Sequence, residues 1–190
     1  MWIALAVVYH VVSRLAYAVG VGVALKRQDR DQVFTRRHGP EAGFLRFRRA
    51  ASIVMNNDAV SFVVLCLVTR RTLHPPWSWS LSLAAGALLV LLGVSIKLWA
   101  AARLGAEAYY WHNFFVPGEL VAPNPPGPYR YLKNPMYTLG YLHAYGFAIA
   151  TESGLGVIAA VFDQAAILAF HYWVEKPHFD ALLGRTGRRP

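Results

Sequence analysis

The stretch Gly127-Pro128-Tyr129-Arg130-Tyr131-Leu132-Lys133-Asn134-Pro135-Met136-Tyr137 decides how this chain is read. A Pro-rich loop runs here into an apolar segment. A second polar signal, Val174-Glu175-Lys176-Pro177-His178, follows the last apolar segment. Two apolar runs joined by a short turn separate the two signals. If both runs cross a bilayer, the Asn- and Tyr-bearing start and the Glu-bearing end return to one membrane face. That juxtaposition suits a small zwitterion.

The rest of the composition supports the membrane reading. The chain has 190 residues, of which 56% are hydrophobic, and its mean hydropathy is +0.33. Soluble domains of this length rarely carry so much apolar residue. Apolar runs at 2–25, 50–69, 81–102, 136–151 and 155–174 approach the length that crosses a bilayer, roughly 20 residues. The run at 136–151 is short and needs to extend into the motif or tilt. The expected fold is an all-α integral membrane protein with about five transmembrane helices. Residues 1–190 form a single membrane domain in this reading. Residues 1–102 supply three N-terminal spans with a basic loop, and 103–190 supply a core of loop motif, helical hairpin and tail. The first run lacks the basic start and small-residue cleavage site of a signal peptide, so it is read as a retained helix. Cys66 is the single cysteine, which excludes an intrachain disulfide. No metal is expected.

Charge placement orients the spans. The formal net charge is +9. Lys26, Arg27, Arg30, Arg36, Arg37, Arg46, Arg48 and Arg49 crowd between the first two apolar runs. Arg70 and Arg71 alone mark the next loop. Arg103, Arg130 and Lys133 mark the third, 151–154 carries no cation, and Lys176, Arg185, Arg188 and Arg189 mark the tail. Alternate loops are basic, and basic loops stay cytoplasmic. The expectation is therefore an N-terminus outside, a C-terminus in the cytoplasm, and attraction to anionic lipid rather than to nucleic acid. No obligate protein partner is implied.

The motif residues have definable chemistry. Pro135 suits the first position of a helix. The free N–H groups behind it attract a carboxylate or phosphate. Asn134 caps that helix or binds a ligand, and Tyr129, Tyr131 and Tyr137 add rings and hydroxyls. Gly140 permits close helix approach. Glu175 accepts from an amine or a ribose, or is simply a solvated helix end. Asn56, Asn57, Asp58 and Lys97 interrupt apolar runs as interface polarity or as a head-group or structural network. Arg103 and Glu107, one turn apart, can pair. His171 reads as a hydrogen-bonded helix contact before it reads as a base.

Asn134-Pro135-Met136-Tyr137 with Gly140, then Val174-Glu175-Lys176-Pro177-His178, resembles the phospholipid N-methyltransferases. Gly127-Pro128-Tyr129-Arg130-Tyr131 is also similar to the isoprenylcysteine carboxyl methyltransferases. The likeness to the fungal phosphatidylethanolamine enzymes runs from 109 to 184. It passes through Trp111-His112-Asn113-Phe114-Phe115 and Tyr141-Leu142-His143-Ala144-Tyr145-Gly146. Three departures stand out. The chain has Lys133-Asn134-Pro135 where the carboxyl enzymes usually have Arg-His-Pro. It has His112-Asn113 where Gly-Asp often stands, and Glu175-Lys176 where vertebrate members carry two Glu residues.

The resemblance implies methyl transfer from S-adenosylmethionine to a membrane phospholipid amine at a cytoplasmic-side site. It implies cofactor contacts from Tyr129, Asn134, Pro135, Tyr137, Gly140, Glu175 and His178. Methylation of an ammonium needs a proton acceptor; His112 with Glu107 is the candidate, beside Asn113. Arg103, Arg130 and Lys133 are candidates for the lipid phosphate. Tyr109, Tyr110 and Trp111 are candidates for holding the cation over ring faces. The alternatives are a prenylcysteine carboxyl methyltransferase, whose acceptor needs no base, and an NADPH-dependent sterol-like membrane reductase.

Overall fold

The computed structural model describes residues 1–116 and 127–186, and these are helical with no strands. Arg188, Arg189 and residues 117–126 lie outside the described residues. The chain opens with α1 (Trp2–Leu15), which passes through a π-helical turn (Ala16–Val21) into α2 (Gly22–Asp31). The short α3 (Val33–His38) precedes α4 (Pro40–Val68) and α5 (Trp79–Leu104). After the one-turn α6 (Ala106–Tyr109) come α7 (Leu142–Ala150) and α8 (Gly154–Phe170). A second π-helical turn (His171–Glu175) joins α8 to α9 (Lys176–Thr186).

Local sequence accounts for several boundaries. Pro40 opens α4 with Glu41 in its first turn, where a missing N–H is harmless and a carboxylate favours the dipole. Ser153 caps α8, its Oγ accepting from Gly156 N at 2.8 Å. Gly105 ends α5 at φ 85°, a left-handed conformation that suits glycine.

Among the described residues four segments, rather than about five, are helices long and apolar enough to cross a bilayer: Trp2–Asp31, Pro40–Val68, Trp79–Leu104 and Gly154–Leu182. The run at 136–151 falls short. Its α7 has nine residues, about 14 Å at 1.5 Å per residue, against a hydrocarbon core of about 30 Å. Pro135 opens a turn rather than an α-helix. The Asn134 carbonyl accepts from Tyr137 N (3.1 Å), Thr138 N (3.0 Å) and Thr138 Oγ1 (2.8 Å), which closes the chain on itself. Gln164, well inside α8, donates Nε2 to the Tyr137 carbonyl at 3.1 Å. The loop therefore enters the bundle, and the α-helix starts only at Leu142.

Glycine makes room for this short helix against α5. A Cβ on Gly93 would strike the backbone N of His143. One on Gly146 would lie 2.6 Å from the Gly86 carbonyl oxygen. Backbones in membrane bundles approach this closely only at small residues.

The ends of the bundle separate cleanly. At one end Arg71 N bonds Thr151 O (3.0 Å), Leu73 N bonds Glu152 O (2.7 Å), and Ser82 Oγ donates to Glu152 Oε1 (2.7 Å). At the other, His178 meets Asp29, Gln28 Nε2 donates to the Phe114 carbonyl, and Arg48 lies over the Tyr110 ring. The basic 26–49 segment thus shares an end with 107–116 and 175–180.

Inside, Arg14 joins three helices, pairing with Asp58 of α4 (2.8 Å) and Asp163 of α8 (2.7 Å). His10 meets Ser61 Oγ (3.0 Å), and Asn57 bridges Tyr9 and Ser13 at 2.9 Å each. Asp58 is thus buried bundle polarity rather than interface polarity, while the exposed Asn57 ties α4 to α1.

Gly93→Leu should destabilise the protein by about 1–3 kcal/mol or more, because backbone would meet side chain on both helices. Gly20→Leu should be nearly silent, since nothing lies within 4 Å of a Cβ there. Thermal unfolding of both variants in detergent checks the contrast.

Candidate active site

One carboxylate organises the site. Trp111 Nε1 and the Tyr137 hydroxyl both donate to Glu175 Oε1, at 2.6 and 2.7 Å. His171 Nδ1 lies 2.7 Å from Glu175 Oε2. A carboxylate only accepts, so this His is the Nδ1–H tautomer or the imidazolium. Glu175 is 6% exposed, so it is a buried tie and not a solvated helix end. It fastens the 105–116 segment, the 127–138 segment and the last helix together.

Two backbone features aim these groups. His171 and Glu175 bound the π-helical turn, whose greater number of residues per turn keeps both on one side; such turns are frequent at functional sites. Trp111 is left-handed at φ 61°, a conformation that costs about 1–3 kcal/mol. Burial of its indole and the bond to Glu175 offset that cost. The segment is seated on a ring cluster in which Phe115 packs against Phe47 (5.2 Å) and Phe44 (5.7 Å), centroid to centroid.

A cavity of about 610 Å³ opens beside the clasp, within the roughly 300–1,000 Å³ usual for small-molecule sites. Tyr109, Trp111, Asn113, Tyr129, Asn134 and Tyr137 line it from the connecting segments. Pro135, His171 and Glu175 line it as well. The Tyr129 hydroxyl is buried with no hydrogen-bond partner among the described residues. Burial, then the nearby Glu175 charge, pushes this phenol up to about 12. Burial and then Glu175 raise Tyr137 well above the ordinary phenol value. Burial and then Tyr110 raise Tyr109. All three stay protonated and able to donate at physiological pH.

Several expected site residues lie elsewhere. His112 does not line the cavity. Its ring stands edge-on to Phe44 (4.5 Å between centroids), with Nε2 3.7 Å from Glu41 and Nδ1 4.0 Å from Glu107. Glu107 is exposed at the same end. His178 points the other way, stacking on Phe114 at 3.7 Å and meeting Asp29 at 2.8 Å, so it anchors α9 to α2. Gly140 packs against the Lys97 stem rather than the cavity. Arg103 and Arg130 are exposed, and Tyr110 packs under Arg48. Trp111 spends its indole N–H on Glu175. The remaining cofactor candidates and Asn113 converge on the cavity; His112, Glu107, Gly140, His178 and the two arginines do not.

The cavity is also lined by Asp58 and Lys97, which the sequence offered as a head-group or structural network, and by Arg14, His143 and Asp163, which sequence reasoning missed as a site. The available signal was a lone charge within an apolar run, Arg14 in 2–25 and Asp163 in 155–174.

The profile of the family described as phospholipid methyltransferase matches residues 81–186. The chain belongs to this family. The matched region holds the whole Glu175 clasp, and this family member contributes Arg14 and Asp58 from outside it. The chain is 30% identical over 197 residues to a phosphatidylethanolamine N-methyltransferase of Podospora anserina, covering 97% of this chain and 20% of that protein. It is 30% identical over 152 residues to the Clavispora lusitaniae protein of the same name, covering 74% and 17%. It is 29% identical over 188 residues to the Aspergillus niger protein of that name, covering 94% and 17%. The chain thus spans about a fifth of the length of these curated relatives. No solved structure matches it at a significant level.

Because Glu175 is a tie, Glu175→Ala should orphan the Trp111 and Tyr137 donors at about 1–3 kcal/mol each. Tyr137→Phe should cost only about 1 kcal/mol, since it removes a donor and leaves Glu175 its other partners. Unfolding midpoints of the two variants in detergent distinguish a structural clasp from a solvated ligand.

Proposed function

We propose that this chain transfers a methyl group from S-adenosylmethionine to the amine of phosphatidylethanolamine or a methylated derivative, from the cytoplasmic side. The observation that carries the reading is the Glu175 clasp, which lies within the region matched by the phospholipid methyltransferase family, together with the cavity beside it.

The residues present fit the cofactor. The unpartnered Tyr129 hydroxyl and the Asn134 side chain offer polar contacts within the cavity wall, next to the Glu175 carboxylate. S-adenosylmethionine, when bound, supplies a methyl group on a sulfonium that already carries its leaving group. The protein's work is then mainly alignment and exclusion of water. Of the three basic candidates for an anionic group at this end, Lys133 lines the cavity, whereas Arg103 and Arg130 do not.

An ammonium acceptor must shed a proton before it has a lone pair. With its ring outside the cavity, His112 is poorly placed for this, and the acceptor is one of the groups lining the cavity. The rate of labelled-methyl incorporation into phosphatidylethanolamine should rise with pH as more amine is neutral. His112→Ala should retain most of it. Thermal stabilisation by S-adenosylhomocysteine and none by NADPH is the expected ligand response. Methylation of a prenylcysteine analogue alone would overturn the lipid assignment, and stabilisation by NADPH alone would overturn the methyl-transfer class.

The cytoplasmic orientation is tested separately. Lys176→Cys should be labelled by a membrane-impermeant thiol reagent only after permeabilisation, and Arg70→Cys in intact cells. Both positions are exposed, and the native Cys66 is buried. The reverse pattern would place the site on the opposite side.

A further inference from the structure

Arg14 and Asp58 are 5% and 4% exposed, in the first and second membrane helices. Arg14 Nη2 pairs with Asp58 Oδ2 at 2.8 Å, and Arg14 Nε donates to Asp163 Oδ1 at 2.7 Å. One polar atom of each group is left over. Arg14 Nη1 and Asp58 Oδ1 are buried with no hydrogen-bond partner among the described residues. Both residues line the cavity. A purely structural pair would close on itself: a bidentate fork satisfies both carboxylate oxygens. An unfilled position on a buried charged group is costly. Here a donor and an acceptor stand beside one another, both unfilled.

The charge balance narrows what can fill them. Arg14 and Lys97 line the cavity against Asp58 and Asp163, so formal charges cancel around this part of it. A ligand with no net charge leaves that balance intact. An anionic oxygen suits Arg14 Nη1, and an ammonium suits Asp58 Oδ1.

The wall beyond is apolar. Phe62 and Val63 of α4 and Val90 of α5 line the same cavity. Val63 is 39% exposed, so this apolar part of the wall is not closed off by packing. A molecule with a zwitterionic head and acyl chains can seat its head among charges while its chains stay in hydrocarbon.

We propose that Arg14 and Asp58 form the acceptor head-group subsite, in which Asp58 Oδ1 accepts from the ammonium and Arg14 Nη1 donates to the phosphate. This moves the amine from the 109–113 segment to α1 and α4. The identity of the acceptor as a phosphatidylethanolamine rests on the methyl-transfer reading; the subsite does not. The amino-acid end of the cofactor also carries an ammonium and an anionic oxygen, and the test separates the two sources.

The experiment uses the full chain in detergent and reads unfolding midpoints. Phosphoethanolamine should stabilise the wild type, whereas ethyl phosphate and ethanolamine, each with half of the zwitterion, should not. Asp58→Asn keeps the shape and removes the ionic acceptor. Arg14→Lys keeps the charge and removes Nη1. In either variant the phosphoethanolamine shift should vanish while that of S-adenosylhomocysteine persists, which also shows that the variant is folded. The kcat/KM for the lipid acceptor should fall roughly 30-fold or more, as when one partner of a buried charge pair is removed. An undiminished phosphoethanolamine shift in both variants, or no such shift in the wild type, would overturn the subsite. Loss of the S-adenosylhomocysteine shift in folded variants would assign the pair to the cofactor and overturn it equally. A wild type that binds phosphoethanolamine but methylates no lipid would leave the subsite standing and sink the proposed function.

Discussion

A guanidinium buried inside a membrane bundle has to be neutralised by side chains, because apolar surroundings leave its charge uncompensated. Arg14 meets that demand with carboxylates from two other helices, Asp58 of α4 and Asp163 of α8. Desolvating these ions is expensive, and the pairing recovers the cost only in good geometry. The result is less a source of stability than a rule about arrangement: α1, α4 and α8 must present these positions to one another. The remaining polar groups of the first helix follow the same face. His10 reaches Ser61, while Tyr9 and Ser13 share Asn57.

With three helices so registered, the half-length α7 is left to α5. Close glycine contacts at Gly86, Gly93 and Gly146 replace the side-chain interlock of a full span. Because α7 starts late, the segment before it enters the bundle and carries Asn134 and Tyr137 to the cavity. A fifth full-length span would have kept that segment at the surface. The short helix is therefore a condition for the site.

The site itself is held by Glu175 in the manner of a keystone. Its two oxygens take up Trp111, Tyr137 and His171, so three stretches distant in sequence share one anchor. A π-helical turn and a left-handed Trp111 are the local strains that this arrangement sustains. The clasp and the connecting segments belong to the matched region of the phospholipid methyltransferase family. The first two membrane helices, outside it, add Arg14 and Asp58 to the charges that line the same cavity. Family likeness and cavity lining therefore describe overlapping but unequal parts of one site.

Much of this was legible in the amino-acid sequence. Apolar runs near bilayer length dictate membrane helices, since a helix satisfies its own backbone where water cannot. The alternation of basic loops groups the segments into two ends, and the Asn134–Tyr137 and Glu175 motifs mark the site and the family. These properties are local in sequence, so composition and spacing reveal them. Three-dimensional packing decided the rest. It shortened the run at 136–151, because closure of the Asn134 turn and the Gln164 bond to Tyr137 depend on helices far away in the chain. It turned His112 and His178 out of the cavity toward Phe44 and Phe114, since a side chain's direction follows from the neighbours that pack it. It joined Arg14 to Asp58 and Asp163 across 44 and 149 positions, a pairing that no periodicity encodes. Sequence alone determined which residues are costly to bury; only the tertiary structure decided which partners meet that cost.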